Sequence, residues 1–245
     1  MMKEADKQKP FHFKQFSLFH HRSTMKVGTD AVLLSAWIDP GDVKTVLDVG
    51  TGSGIIALMM ASRTNAKVDA IDIDPESCAE AGQNFLRSPY SKRLTVFNQG
   101  FTTFASQTNR AYDLVISNPP FFINDMKSEN LKKNKARHTD SLSYDDLCRG
   151  ASKLMNTNGR FAVVLPYVES RMFVETASKH NLFLNKKLLI FPKPCFQPNR
   201  VNLEFCKEKP TKIKEEKFII RQESGNFTQQ YVDLLGNYYL SINKQ

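Results

Sequence analysis

The sequence predicts an α/β protein with a doubly wound, mostly parallel sheet. Short apolar segments alternate along the chain with longer segments of helical periodicity, which is typical of parallel strands covered by helices on both faces. The length of 245 residues suits one large domain. We therefore expect a single domain over residues 11–245, preceded by a polar and disordered segment over residues 1–10.

The elements are predicted in order from periodicity and turn residues. Alternating apolar and polar residues indicate a short strand over residues 11–16, and Thr29 or Asp30 can cap a helix over residues 31–37. The strands expected after this helix are residues 45–49, 67–73, 94–98, 112–117, 160–165, 187–191, 201–206 and 218–222. The further helices expected are residues 55–63, 75–87, 144–154, 169–180 and 228–240. In such a sheet ligands bind beyond the carboxyl ends of the strands, so motifs at strand ends share one crevice.

Charge and cysteine content narrow the class of protein. The net charge of +9 favours a polyanionic partner, because Lys and Arg displace counterions from phosphates. The four cysteines have no C-x-x-C spacing, so we expect reduced thiols, a cytoplasmic location and no metal site. The sequence shows neither an apolar signal segment nor an apolar run of membrane length, and no membrane association is expected.

A glycine-rich turn follows the first strand of the sheet, with glycines at Gly50, Gly52 and Gly54. Glycine permits positive φ and a close approach of the backbone to a ligand. The G-x-G-x-G spacing differs from that of a P-loop, so phosphate transfer is disfavoured. Asp48 precedes the turn, where its carboxylate could accept a hydrogen bond from the ammonium group of an amino acid.

Two acidic residues end the second strand of the sheet. A carboxylate at this place can bind both hydroxyls of a ribose, or it can cap the helix that starts at Pro75. We assign Asp72 to the ribose and Asp74 to the helix cap, with Ile73 between them as a cofactor contact. A nicotinamide dinucleotide uses the same geometry and remains the competing ligand.

The sequence Asn118-Pro119-Pro120-Phe121 follows a later apolar strand. Proline cannot continue a sheet ladder, and the Pro119 carbonyl and the Asn118 side chain provide two acceptors at the strand end. Two acceptors aimed at one amino group would direct its lone pair toward an electrophile, and Phe121 offers a face for a planar base. An ordinary loop exit with an Asn cap is the alternative, and the nearby glycine-rich turn favours catalysis.

Taken together, these motifs resemble those of class I S-adenosylmethionine (SAM) dependent methyltransferases that methylate amino groups. Residues 26–33, 46–54, 136–138 and 159–166 also match, and within this class the chain is most similar to bacterial tRNA adenine-N6-methyltransferases. The resemblance implies a Rossmann-like sheet of seven strands with an antiparallel edge strand. It also implies SAM as cofactor and methyl transfer to the N6 of an adenine in RNA, namely adenine 37 of tRNA(Val).

The resemblance further implies that the segment before the glycine-rich turn folds over the cofactor. The cofactor contacts expected from the motifs and the resemblance are Lys26, Gly28, Thr29, Asp48, Gly50, Gly52, Gly54, Asp72, Ile73, Phe101 and Asn118. The family usually has an Asp after the third strand for the amino group of the cofactor's adenine, whereas this chain has Gly100. Gln99 or a backbone carbonyl could take its place, and we expect weaker SAM binding.

Basic residues follow the catalytic motif in a loop that could act as a lid. The RNA contacts expected there are Lys127, Lys132, Lys133, Lys135, Arg137 and His138. Two other functions stay open at this point. A protein glutamine N5-methyltransferase would use a similar amino group, but these enzymes generally have an N-terminal helical domain and Tyr after the prolines. A non-catalytic RNA-binding protein with this fold is the other alternative, and we expect a monomer.

Overall fold

The computed structural model describes residues 9–23, 27–120 and 142–242. Its strands are β1 (Phe11–His12), β2 (Ser17–Leu18), β3 (Thr45–Val49), β4 (Lys67–Asp72), β5 (Leu94–Asn98), β6 (Tyr112–Ser117), β7 (Met155–Pro166), β8 (Phe183–Phe191), β9 (Arg200–Cys206) and β10 (Lys214–Ile219). Its helices are α1 (Thr29–Trp37), α2 (Ile55–Arg63), α3 (Pro75–Arg87), α4 (Phe101–Gln107), α5 (Tyr144–Leu154), α6 (Ser170–Lys179) and α7 (Gln229–Leu235).

The central sheet has the strand order β10-β8-β9-β7-β6-β3-β4-β5. From β3 the chain first winds outward through β4 and β5, and then returns to the other side of β3 as β6 and β7. The strand order therefore reverses between β3 and β6. In open α/β sheets this switch point leaves a crevice at the carboxyl ends of the strands, which is where a ligand binds.

The predicted doubly wound sheet is confirmed, but the expected strand count and the place of the antiparallel strand were wrong. The sheet has eight strands, and the antiparallel strand β9 lies inside it between β7 and β8. The eighth strand, β10, pairs in parallel with β8 and covers its edge. The charged segment Lys214–Ile219 shows little apolar alternation, and for this reason the strand was predicted too late in the chain, at residues 218–222.

Most predicted elements of the first half of the sheet are confirmed within a residue, including β3, β5, β6, α2 and α3. Three local predictions need correction. Helix α1 begins at Thr29 with Gly28 as its N-cap, so neither Thr29 nor Asp30 is the cap. In place of the expected strand over residues 11–16, residues 11–18 form a hairpin of β1 and β2. Helix α4 was not predicted, because seven residues are too few to show a helical period.

Two apolar cores lie on the two faces of the sheet. Alternate residues of β6 enter opposite cores: Leu114 and Ile116 join the core that contains α1 and α2, while Val115 joins the core that contains α4, α5 and α6. All three side chains are fully buried. Burial on both faces is the reason why these parallel strands read as continuous apolar runs in the sequence. No helix of the described residues has the length and apolarity needed to cross a membrane.

Candidate active site

A cavity of about 560 Å³ opens at the carboxyl ends of β3, β4, β5 and β6. It is lined by Gly28, Ala31, Val49, Gly50, Thr51, Gly52, Ser53, Ile55, Ile56, Ile71, Asp72, Ile73, Asp74, Gln99, Gly100, Phe101, Thr102, Ser117, Asn118, Pro119, Pro120, Leu142 and Asp146. The glycine-rich turn, the acidic end of β4 and the prolines after β6 thus share one crevice. This juxtaposition is the one expected from the positions of the motifs at strand ends.

The glycine-rich turn is held on β4 and leaves its outer side open. The backbone N–H groups of Gly50 and Thr51 both donate to the Ile71 carbonyl, at 2.9 and 3.0 Å. Gly50 and Gly52 have φ values of 72° and 53°. Apart from each glycine and its two chain neighbours, no heavy atom of the described residues lies within 4 Å of the place where a Cβ would stand. The turn therefore presents bare backbone to the cavity, as a ligand cradle requires.

Gly54 has a different role from the other two glycines of the turn. Its φ is 87°, and a Cβ on Gly54 would lie 2.5 Å from Cε1 of Phe85 on α3. The residue does not line the cavity; it is the N-cap of α2 and allows α2 to pack closely on α3. The structure thus gives Gly54 a packing role, and its cofactor contact stays a prediction.

The Asp48 carboxylate lies beneath the turn and has no exposed surface. Its Oδ2 accepts hydrogen bonds from Thr51 Oγ1 at 2.6 Å and from the Ala57 N–H at 3.1 Å, while Oδ1 has no partner within the part of the chain that the structure describes. Burial raises the pKa of Asp48 to about 7. Because Asp48 does not line the cavity, the direct contact with an ammonium group predicted from the sequence is not available in this structure, and Asp48 instead supports the turn.

The two acidic residues at the end of β4 have different roles, and the predicted role of Asp74 as a helix cap is confirmed. Asp74 caps α3, because its Oδ2 accepts from both the N–H and the Oγ of Ser77, at 2.9 and 2.7 Å. Asp72 faces the cavity, and its carboxylate accepts from the N–H of Gly52 at 2.8 Å and from that of Asp74 at 3.0 Å. Burial raises the pKa of Asp72. Ile73 is 59% exposed and contributes apolar surface to the cavity wall.

Asn118 ends β6 at the other side of the cavity. Its Oδ1 is buried and has no hydrogen-bond partner among the described residues. The preceding Ser117 donates from Oγ to the Val49 carbonyl at 2.8 Å, which holds the end of β6 on the end of β3. Pro119 and Pro120 both line the cavity. Phe121 lies outside the described residues.

The segment before the glycine-rich turn reaches the cavity only in part. Gly28 lines it, whereas Thr29 lies at a second, smaller pocket together with Asp30 and Arg200. Lys26 lies outside the described residues, as do all of the predicted RNA contacts, Lys127, Lys132, Lys133, Lys135, Arg137 and His138.

Glu80 is a residue that sequence reasoning missed. Its buried carboxylate accepts three consecutive backbone N–H groups, from His21 at 2.7 Å, Arg22 at 3.0 Å and Ser23 at 2.9 Å. These bonds hold the N-terminal segment on α3 shortly before it reaches the cavity at Gly28. Although burial opposes it, these hydrogen bonds lower the pKa of Glu80. No local motif announces the contact, since 57 to 59 residues separate the partners.

Two solved structures that superpose on this chain are described as methyltransferases. A predicted O-methyltransferase of Agrobacterium tumefaciens superposes with a TM-score of 0.66 at 19% identity, covering 89% of this chain and all of the other. A putative RNA methyltransferase of Pyrococcus horikoshii gives a TM-score of 0.51 at 16% identity, over 74% of this chain and 82% of the other. These likenesses show that the chain has the fold of class I SAM-dependent methyltransferases, which is the fold that the sequence motifs predicted.

The family model for the methyltransferase small domain matches residues 22–170, and the chain belongs to this family. A protein of Bacteroides fragilis named tRNA1(Val) (adenine(37)-N6)-methyltransferase is 39% identical over 95% of this chain and 98% of its own length. Proteins of Parabacteroides distasonis and Flavobacterium johnsoniae with the same name are 37% and 35% identical, each over 95% of this chain.

Proposed function

We propose that the protein transfers a methyl group from SAM to the N6 atom of adenine 37 in tRNA1(Val). The observation that carries the proposal is the buried and unpaired Asn118 Oδ1 in the wall of the cavity. A buried acceptor without a donor costs about 1–3 kcal/mol. Such an acceptor is tolerated where a ligand supplies the donor, and an exocyclic amino group is a donor of the right kind.

The residues on the other side of the cavity fit the cofactor. The bare backbone of Gly50 and Gly52 leaves room for the amino acid part, and the Asp72 carboxylate is placed to accept from the ribose hydroxyls. Ile73 and Phe101 offer apolar surfaces for the adenine ring. We keep Lys26 and Thr29 as predictions for the segment that folds over this ligand.

When bound, SAM supplies a methyl group on a sulfonium, which is an excellent leaving group. The chain's own contribution is positioning. Asn118 Oδ1 and the Pro119 carbonyl accept the two hydrogens of the target amino group and so direct its lone pair into the cavity. Phe121 is proposed as the stacking partner of the flipped base. Because the leaving group is good, we propose that the step needs no metal and that the proton is lost to solvent.

The choice of tRNA is supported by the names of the relatives, which cover nearly the whole chain, and by the net charge of +9. The predicted basic loop after Pro120 is proposed as the RNA-contacting segment. We also propose a monomeric, cytoplasmic protein with one domain over residues 11–245.

The proposal is tested by incubating the protein with tritiated SAM and separate pools of unmodified tRNA, rRNA and protein. We expect label in tRNA1(Val), and its loss when adenine 37 of the transcript is replaced by guanine. Label in the protein pool instead would identify a glutamine N5-methyltransferase. Binding of tRNA without any transfer of label would indicate a non-catalytic RNA-binding protein.

A further inference from the structure

One end of the cavity has a carboxylate to which the proposed function assigns no role. Beyond Asp72 the cavity continues past Ile73 to Gly100 and Phe101, which follow β5. Asp146, from the first turn of α5, lines this same cavity. Under the proposed function, a ribose held at Asp72 places the adenine of the cofactor toward this end, because β5 neighbours β4 in the sheet.

The adenine ring carries an exocyclic amino group, which needs an acceptor when it is taken out of water. The other side chains at this end are poor candidates. The Gln99 amide nitrogen donates to Oε1 of Gln107, the last residue of α4, at 2.7 Å, and the neutral amide oxygen of Gln99 is a weaker acceptor than a carboxylate. Gly100 has no side chain. Asp74 is engaged as the cap of α3.

Helix α5 is fixed against this end of the cavity. Gly150 of α5 packs directly on the Phe101 ring, since a Cβ on Gly150 would lie 2.4 Å from Phe101 Cε1. Asp146 stands four residues before Gly150 and therefore on the same face of the helix, one turn closer to the N-terminus. The contact between Gly150 and Phe101 thus sets the distance of Asp146 from the cavity wall formed by Phe101.

The Asp146 carboxylate is also held in orientation. Its Oδ2 accepts from Ser143 Oγ at 2.6 Å, and its Oδ1 pairs with Arg149. The side chain remains 33% exposed, toward a cavity that it lines. Each carboxylate oxygen can accept two hydrogen bonds, so both oxygens retain capacity for a donor from a ligand.

From this geometry we infer that Asp146 accepts a hydrogen bond from the exocyclic amino group of the cofactor's adenine, and so selects adenosine over inosine in the cofactor. Asp146 thereby supplies from α5 the carboxylate that is absent at Gly100. The inference rests on the proposed function only in the use of SAM, and it makes no statement about RNA.

Two ligands distinguish this role by isothermal titration calorimetry in the absence of RNA. S-adenosylhomocysteine has the amino group, and S-inosylhomocysteine has an oxygen in its place. We expect the wild-type protein to bind S-adenosylhomocysteine at least tenfold more tightly than S-inosylhomocysteine. The amino group of S-adenosylhomocysteine donates a hydrogen bond to the charged carboxylate, whereas the oxygen of S-inosylhomocysteine is repelled by it. In Asp146→Asn this ratio falls to near one, because the new amide can donate to the inosine oxygen.

The matched control is Asp145→Asn, which removes the same charge from the adjacent position, where Asp145 bonds His180 instead of lining the cavity. It should keep the wild-type ratio. Asp146→Ser, with a small polar residue in the first helical turn, provides a second measurement should Asp146→Asn fold poorly. Adding Gly100→Asp to Asp146→Asn should restore the preference, because only Ile73 Cδ1, at 3.7 Å, lies near the Cβ position.

Equal affinity of the wild-type protein for both ligands would overturn the inference, and so would an unchanged ratio in Asp146→Asn and Asp146→Ser. A purely structural role of Asp146 would weaken both ligands alike and leave the ratio intact. If the wild-type protein binds neither ligand, the proposed cofactor fails as well. If it binds and methylates tRNA while the ratio is insensitive to residue 146, only the role of Asp146 fails.

Discussion

The polar groups that line the two sides of the cavity differ in their hydrogen bonding. On the β4 side, Asp72 accepts two backbone hydrogen bonds and the N–H groups of Gly50 and Thr51 are both paired with Ile71. On the β6 side, the buried Asn118 Oδ1 has no partner among the described residues. The contrast holds for the groups that line the cavity, since the unpaired Oδ1 of Asp48 lies beneath the turn and does not line it. Under the proposed function, the β4 side is a prebuilt scaffold for the cofactor, while the β6 side keeps an unpaired acceptor for the substrate.

Asn118→Ala removes the acceptor on the reaction side and leaves the cofactor side unchanged. Among the variants considered, it should have the largest effect, which is a loss of turnover. We expect a loss in kcat of about 10²–10³, the usual effect of removing one group that orients charge in a transition state. Single-turnover methylation of the tRNA and calorimetry of S-adenosylhomocysteine measure the two functions separately. Equal losses of turnover and cofactor affinity would place Asn118 on the scaffold side and remove it from catalysis.

Gly54→Ala should destabilise the scaffold side, because it disturbs the packing of α2 on α3. The new Cβ would stand at a φ of 87° and 2.5 Å from the Phe85 ring, so strain and overpacking act together. We expect the free energy of unfolding to fall by about 2–4 kcal/mol, measured by urea denaturation. Gly225→Ala is the matched control, with a φ of 94° and no atom near its Cβ position. It isolates the backbone strain, and an equal loss in both variants would contradict the packing role.

Asp48 makes the stability of the scaffold side depend on pH, because it is a buried acid with a pKa raised to about 7. From about pH 4, where the unfolded carboxyl ionises, to pH 7, the folded protein keeps a proton that the unfolded chain has lost. The stability from this group is complete below pH 4 and falls as pH rises to 7, by up to about 1.4 kcal/mol per pH unit.

Asp48→Asn cannot titrate at this position, so it should flatten this fall. Urea denaturation of both proteins from pH 5 to pH 8 measures the difference in the free energy of unfolding. Asp74→Asn is the control, because the cap to Ser77 lowers the pKa of Asp74 and confines its effect to more acidic pH. Parallel curves for wild type and Asp48→Asn would show that Asp48 titrates normally in the folded protein.

Gly100→Asp should have the smallest effect. Gly100 is the N-cap of α4 without a side-chain hydrogen bond, so an Asp should stabilise the helix by a few tenths of a kcal/mol. It also adds a carboxylate to the cavity, and we expect SAM to bind a few-fold more tightly. Gly100→Ala, which adds only the Cβ, is the control for calorimetry and thermal melting. No gain over Gly100→Ala would contradict a second contact to the amino group of the cofactor's adenine, whose other hydrogen is assigned to Asp146.

The sequence alone determined the features that depend on neighbours along the chain. Apolar runs and turn residues placed β3, β6, α2 and α3, and the capping role of Asp74 followed from its position before Pro75. The alignment of the motifs in one crevice could also be predicted, because parallel strands end at the same edge of a sheet.

Which polar groups are buried, paired or left open could not be predicted from local patterns, because these properties depend on residues far apart in the chain. Asp48 is buried beneath the turn, and Glu80 accepts hydrogen bonds from a segment 57 to 59 residues away. Gly150 packs on Phe101, and this contact positions Asp146 at the cavity. The unpaired state of Asn118 Oδ1 is of the same kind. A local pattern specifies which atoms a segment carries, whereas the free energy of those atoms is set by what packs around them.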